Sequence, residues 1–100
     1  MKTINLNGNE YPVRVTMGAL REFKKLTGKD VEQIAGTSDI GDFLFACAVS
    51  ACRADKVEFK ETIDSFVDQL DINASAELFM SLLEDAGMSA TGGKKKTVIK

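Results

Sequence analysis

The chain has 100 residues, of which 44% are hydrophobic and 28% charged, and its formal net charge is −2. This length fits one domain with a modest core, and the apolar share excludes wholesale disorder. The N-terminal MKTINLNG lacks the apolar region of a secretory signal. The longest mostly apolar run, residues 40–54, is interrupted and falls short of the roughly 20 residues that cross a bilayer. We therefore expect a cytoplasmic protein without a membrane span.

The charge is distributed unevenly along the chain. All 15 acidic residues precede Gly87, whereas four of the 13 basic residues follow it, namely Lys94, Lys95, Lys96 and Lys100. Residues 1–87 therefore carry 9 − 15 = −6, and residues 88–100 carry +4. A nucleic-acid-binding domain needs a basic face, so the acidic body argues against that function.

The N-terminal residues predict a β-hairpin. Asn7-Gly8 is a turn signal between two runs of alternating polar and apolar residues, whose apolar members are Ile4, Leu6, Tyr11, Val13 and Val15. A two-residue or a four-residue loop places these five side chains on one face, whereas a three-residue loop does not. Because Pro12 lacks an N–H, we expect it at a sheet edge or a bulge. The apolar face then needs a cover of helices.

The stretch GALREFKKLTGKD, residues 18–30, predicts a short helix with both ends marked. Thr16 is the expected N-cap and Gly28 the left-handed residue after the last turn. Lys24 and Lys25 lie in that last turn, where the helix dipole favours cations. The predicted apolar stripe consists of Met17, Leu20, Phe23 and Leu26. We interpret this helix as the scaffold that packs the hairpin onto the other helices.

A short turn and a long helix are predicted next. Asp30 with Gln33 resembles a capping box, and it opens a helical turn that Gly36 closes. A second helix runs from Ser38 or Asp39 to about Ala54. It is apolar on all sides, which is typical of a buried central helix.

Two further amphipathic helices are predicted. Thr62 caps the third helix, whose apolar stripe is Ile63, Phe66, Val67 and Leu70. Asp71 or Asn73 caps the fourth, which ends at Gly87 and carries Ala74, Leu78, Leu82, Leu83 and Ala86 along one stripe. The sequence thus predicts an α+β fold, in which the hairpin packs on a small bundle of about four helices. Residues 1–87 form the single domain, and residues 88–100, which lack a core-forming pattern, form a flexible, disordered basic tail.

Catalytic chemistry has little support in the sequence. There is no histidine, and no P-loop, GxGxxG or GxSxG motif. Cys47 and Cys52 are expected to be buried thiols, since their spacing fits neither a redox pair nor a zinc half-site. Asp64, Asp68 and Asp71 lack the ligand pattern of a calcium loop and are expected to form a solvated acidic face. We expect a non-enzymatic protein without cofactor or metal.

Large apolar side chains near the fourth helix are the candidate binding residues. The sequence predicts a surface patch that binds a partner helix, and its members are Phe79, Met80, Leu83, Phe43, Phe45 and Met88. The alternative is that most of these side chains complete the core.

The N-terminal pattern carries a resemblance. INLNGNEYPVRVT followed at once by GALREFKKLTG, then an apolar middle helix and the acidic ETIDSFVDQLD, resembles the phage and prophage tail assembly chaperones of long-tailed bacteriophages. The resemblance covers residues 2–86 and is most specific at its start, where strand, NG turn and strand lead into a helix closed by TG. The resemblance lies in the order of the strands and helices, because this family has no catalytic motif that could be compared residue by residue.

The resemblance implies an assembly factor that is absent from the finished virion. Such chaperones self-associate and engage the long helical tape measure protein while tail-tube subunits polymerise around it. Many of their genes also give a longer product by ribosomal frameshifting. Gly93, Lys94, Lys95 and Lys96 are what a slippery run of G and A encodes, and the alternative is a basic tail that aids solubility.

Two other functions remain open from the sequence. A small DNA-binding regulator is one, since the helices around GKDVEQIAG imitate a helix-turn-helix, although the second helix has only Arg53 as a basic residue. Another phage morphogenesis protein, such as a head–tail adaptor, is the other. Neighbouring genes for a tail-tube protein and a very long helical protein would favour the chaperone.

Overall fold

A computed structural model describes residues 2–87 of the chain. It contains two strands, β1 (Lys2–Leu6) and β2 (Asn9–Val13), and four α-helices, α1 (Met17–Thr27), α2 (Thr37–Asp55), α3 (Ile63–Asp68) and α4 (Ile72–Asp85). A single 3-10 turn, Val31–Gln33, lies between α1 and α2. The predicted α+β fold, a hairpin packed on about four helices, is therefore confirmed. The disordered tail predicted for residues 88–100 lies outside the described residues.

The hairpin is closed by the shorter of the two predicted loops. Leu6 pairs with Asn9, and the two loop residues, Asn7 and Gly8, have φ of 53° and 81°. These left-handed conformations match the right-handed twist of a two-residue hairpin. Ile4 lies opposite Tyr11, so the apolar side chains share one face as predicted.

Pro12 takes a position that needs no N–H. Along two antiparallel strands, pairs of facing residues are alternately joined and not joined by backbone hydrogen bonds. The pair that closes a two-residue loop is joined by them. Counting from the Leu6–Asn9 pair makes Thr3–Pro12 a non-hydrogen-bonded pair. The nitrogen of Pro12 therefore faces the outer edge of β2, in agreement with the prediction.

Both predicted ends of α1 are confirmed. The hydroxyl of Thr16 accepts a hydrogen bond from the Ala19 N–H (3.0 Å), and Gly28 has φ of 76° and donates to the Lys24 carbonyl. A Cβ at Gly18 would lie 2.7 Å from the Ser50 hydroxyl oxygen. This glycine thus lets α1 approach α2 closely.

The predicted apolar stripe of α1 is only half right. Phe23 is buried and Leu20 half-buried, but Met17 is 75% exposed and Leu26 is 43% exposed. The buried face is centred on Ala19 and Phe23. The two exposed residues lie near the helix ends, where neither α2 nor the hairpin covers them.

α2 forms the centre of the molecule, as predicted. Ten of its 19 residues are buried, and it packs against β2, α1, α3 and α4. Its first turn is tied to the preceding loop by Asp39, which accepts hydrogen bonds from Lys29 Nζ (2.9 Å) and the Ala35 N–H (3.0 Å). Its last turn is tied to the hairpin by a two-pronged bond from Arg14 to Asp55.

The caps of α3 and α4 are those that the sequence predicts. Thr62 and Ser65 exchange hydrogen bonds as a capping box, and the Asp71 carboxylate accepts from the Ala74 N–H at 2.9 Å. Of the two residues proposed to cap α4, Asp71 is therefore the correct one. The turn before α2 ends at Gln33 rather than at Gly36, which instead precedes α2 with φ of 94°.

The buried stripe of α4 is rotated from the predicted one. Ser75, Phe79, Leu82 and Leu83 are buried, whereas Ala74 and Ala86 are exposed. The predicted and the observed stripes share Leu82 and Leu83, and the observed stripe also includes Phe79. Phe79 is buried because it packs edge-to-face on Phe43 of α2, with ring centroids 5.5 Å apart.

Candidate functional site

Among residues 2–87, no three His, Cys, Asp or Glu side chains converge on a position that could hold a metal ion. Cys47 is fully buried, and burial raises the pKa of its thiol to about 12. Burial also raises the pKa of the Cys52 thiol. Both thiols are therefore protonated at neutral pH and are poor nucleophiles.

The patch predicted near the fourth helix does not lie on the surface. Phe43 and Leu83 are buried, and Phe79 is 8% exposed. Phe43 is the middle ring of an edge-to-face chain that runs from Phe23 to Phe79, with centroid distances of 5.5 Å. For these residues the alternative is confirmed: they complete the core.

Two members of the predicted patch remain. Met80 is 42% exposed, and Met88 lies outside the described residues, as do Gly93, Lys94, Lys95 and Lys96. Phe45 is half-buried between Phe59 and Phe66, with ring centroids 5.5 Å and 5.4 Å away. An exposed apolar surface must therefore be sought elsewhere.

A groove in two adjacent parts lies along the junction of α3 and α4. Its first part, a cavity of about 210 Å³, lies between the start of α2 and the α3–α4 junction, and its second, of about 380 Å³, lies between that junction and β1. Leu70 and Ser75 line both parts, which are therefore adjacent. We call this feature the α3–α4 groove, and its other apolar lining residues are Ile4, Leu6, Ile40, Val67, Ile72, Ala74 and Leu78.

Ile72 is the most exposed large apolar side chain of the groove. It lies seven residues before the buried Phe79, so helical periodicity assigns it to the same face of α4. It is nevertheless 67% exposed, because it is the first residue of the helix and lies beyond the end of the core. The sequence does contain its signal, an isoleucine directly after the N-cap, but periodicity alone places it inside.

Carboxylates line both parts of the groove. Asp42 lines the first part, and its pKa is raised by burial and then by the nearby negative charge of Asp39. Asp71 lines the second part. Among residues 2–87, neither carboxylate has a Lys or Arg nitrogen within 4.0 Å.

The acidic character extends beyond the groove. Residues 61–87 contain seven acidic residues and no basic one: Glu61, Asp64, Asp68, Asp71, Glu77, Glu84 and Asp85. Within the described part of the chain only Asp85 has an ion-pair partner, Lys2 at 3.0 Å. The predicted acidic face of the third helix is thus exposed and not neutralised by the domain itself.

The groove also contains an open strand edge. β1 pairs only with β2 among the described strands. In the pairing order set by the closing Leu6–Asn9 pair, the backbone N–H and C=O groups of Thr3 and Asn5 point away from β2. Both residues line the second part of the groove, so the groove offers backbone hydrogen bonds as well as apolar surface and negative charge.

The described helices give little support to the helix-turn-helix alternative. α2, which would have to be the recognition helix, is largely buried, and its Arg53 is engaged by Glu22 at 2.9 Å. A recognition helix instead needs a free polar face that reaches the bases.

No protein-family model matches the chain, and no curated protein or solved structure is significantly similar to it. Within residues 2–87, no helix combines the length and apolar character that a membrane crossing requires.

Proposed function

We propose that this protein is a non-enzymatic tail assembly chaperone of a long-tailed phage or prophage, and that it acts in the bacterial cytoplasm on the tape measure protein. The proposal is supported by the layout that underlies the sequence resemblance, a hairpin that leads directly into a capped helix and then a buried middle helix. The observation that carries it is the α3–α4 groove, in which the 67% exposed Ile72 lies beside carboxylates that have no ion-pair partner among residues 2–87.

The groove and the acidic surface suit the task of keeping an amphipathic helix in solution. A tape measure protein has long amphipathic helices whose apolar stripes would aggregate before the tube forms around them. A groove with an apolar floor binds one face of such a helix. The acidic surface of residues 61–87 then faces solvent and keeps the complexes apart by charge repulsion. Each contact is weak, so that tail-tube subunits can displace the chaperone, and several copies bind one tape measure chain.

The test is co-expression with the tape measure protein encoded beside the gene. We expect the chaperone to keep that protein in the soluble fraction and to copurify with it in several copies. Binding through apolar side chains should change little between about 0.1 and 1 M salt, whereas phosphate binding falls steeply over this range. Failure to rescue the tape measure protein, or tight salt-sensitive binding to duplex DNA, would overturn the proposal.

The groove is tested by exposed residues, since the buried Phe79 cannot be changed without harming the fold. Ile72→Asp should weaken copurification, because it places a charge on the apolar floor. Met17→Asp is the matched control, since Met17 is 75% exposed on α1 and does not line the groove. Met80→Asp tests the one exposed described residue of the sequence-predicted patch. Loss of binding with Met80→Asp and not with Ile72→Asp would move the binding surface to that side of α4.

A further inference from the structure

The α3–α4 groove and the C-terminal residues of the chain have complementary chemistry. The groove combines an apolar floor, the carboxylates of Asp42 and Asp71, and the open edge of β1. Residues 94–100, KKKTVIK, combine four lysines with Thr97, Val98 and Ile99. These three are β-branched residues, which favour strands. Residues 94–100 thus contain lysines for the carboxylates, apolar side chains for the floor of the groove, and a strand-favouring stretch for the open edge of β1.

The charge balance favours the same pairing. The described acidic groups of residues 61–87 have one ion-pair partner among residues 2–87, the Lys2 bonded to Asp85. Residues 88–100 carry four positive charges and no negative one, against −6 for residues 1–87. Opposite net charges attract, and the attraction is greatest where the carboxylates lack other partners.

The length of the intervening chain matches the distance to be covered. α4 has 14 residues and runs from the groove at Ile72 to Asp85. At about 1.5 Å per residue it is about 21 Å long. Residues 88–93, MSATGG, span at most about 20–22 Å when extended. If they return along α4, residues 94–100 begin beside the groove.

We propose that residues 94–100 dock in the α3–α4 groove of their own chain, with lysines beside Asp42 and Asp71 and with residues 97–99 along the open edge of β1. Such docking covers Ile72 and the strand edge while no partner is bound. It also makes the segment a competitor of the tape measure helix, and this consequence alone rests on the proposed function.

The docking is tested without any partner by paramagnetic relaxation in the full-length protein. Thr97→Cys provides a site for a nitroxide, since Cys47 and Cys52 are buried and poorly reactive. We expect selective broadening of the amide signals of Gly41, Leu70 and Ser75, and little change at Glu32 and Leu26. Raising the salt from about 0.1 to 1 M shortens the Debye length from about 10 to 3 Å, so the broadening should fall at least about twofold.

Matched charge variants identify the partner groups. Asp42→Asn with Asp71→Asn should reduce the broadening at least about twofold, and asparagine at position 71 still caps α4. Glu32→Gln with Glu84→Gln removes the same charge outside the groove lining and should leave the broadening unchanged. If both double variants reduced the broadening equally, the attraction would depend on net charge alone, and this result would overturn the docking.

An isotope mixture distinguishes the segment's own groove from that of a second copy. Unlabelled spin-labelled protein is mixed with 15N protein that carries no nitroxide. Broadening that appears in this mixture at the same strength would overturn docking within one chain. Uniform or absent broadening in the singly labelled protein would overturn docking altogether, whether or not the protein rescues a tape measure protein.

Discussion

Tyr11 is the one buried side chain of the described residues whose polar group has no hydrogen-bond partner. Its side chain is 2% exposed and packs edge-to-face on Phe59, with centroids 5.0 Å apart, but nothing accepts or donates a bond at its hydroxyl oxygen. A buried hydroxyl without a partner costs about 1–3 kcal/mol, because it loses its bonds to water. The ring therefore stabilises the fold while the hydroxyl opposes it.

Tyr11→Phe should consequently leave the free energy of unfolding unchanged or raise it by about 1 kcal/mol. Tyr11→Ala, which removes the ring as well, should lower it by about 3–5 kcal/mol. Urea denaturation of both variants measures the difference. A loss of more than about 1 kcal/mol in Tyr11→Phe would show that the hydroxyl does have a partner.

Asp39 makes the stability depend on pH. The Ala35 N–H and the Lys29 ammonium bind the ionised carboxylate and hold its pKa below the ordinary value. A depressed pKa gives stability that is fully present above the unfolded pKa, about 3.9, and is lost as the pH falls through the lower folded pKa. Asp55 and Glu61 also contribute stability that is lost at low pH. A hydrogen bond from Arg14 lowers the pKa of Asp55, and one from Ser65 lowers the pKa of Glu61.

Asp39→Asn should therefore destabilise the protein at pH 7, and the gap to the wild type should close as the pH falls below about 4. Urea midpoints measured from pH 7 to pH 3 would show this trend. Glu32→Gln, at an exposed position without an ion pair among the described residues, is the control and should show little gap at any pH. A gap for Asp39→Asn that does not narrow at all between pH 7 and pH 3 would contradict the assignment to charge.

At the scale of the elements, α2 determines the core because every other layer packs on it. Leu44 and Phe43 are fully buried, whereas Phe45 is half-buried on the side of α3. The cost of truncating a side chain grows with the cavity it leaves. The residues of one helix should therefore differ in their contribution to stability according to the element they face.

Leu44→Ala should lower the free energy of unfolding by about 2–5 kcal/mol. Val57→Ala, at a 39% exposed position just after α2, is the control and should cost less than about 1 kcal/mol. Denaturant unfolding measures both. If Leu44→Ala cost under about 0.5 kcal/mol, α2 would not be the central helix.

At the scale of the whole molecule, the domain and the C-terminal residues are expected to be thermodynamically separable. The core cluster described for residues 2–87 joins side chains of the hairpin and of all four helices. The proposed docking of residues 94–100 should add less than about 1 kcal/mol, since surface ion pairs contribute little each. If residues 94–100 dock as proposed, they should affect access to the groove without being required for folding.

Ending the chain after Gly87 should lower the melting temperature by no more than about 4–8 °C, the shift that corresponds to about 1 kcal/mol in a domain of this size. Thermal unfolding followed by circular dichroism measures the change. The triple variant Lys94→Gln, Lys95→Gln, Lys96→Gln in the full chain is the companion and should have the same small effect. A larger loss would make residues 88–100 part of the folded core.

Local signals determined most of the elements. Asn7-Gly8, Thr16, Gly28, Thr62 and Asp71 act through the backbone of their immediate neighbours. Their effect is readable from the sequence because the partner groups lie within about four residues. The central position of α2 was also predictable, since a helix that is apolar on all sides has no other place in a small domain.

The surface was decided by the tertiary structure. Periodicity predicts the face of a helix that turns inward, but not where along the helix the neighbouring elements end. Ile72 shares the helix face of the buried Phe79 but is 67% exposed at the first position of α4, while Phe43 and Phe79 are buried and their rings pack on each other. The groove between α3, α4 and β1 joins residues from distant parts of the chain. Such a surface depends on how the elements pack, and this is why the sequence predicted the fold but misplaced the candidate binding residues.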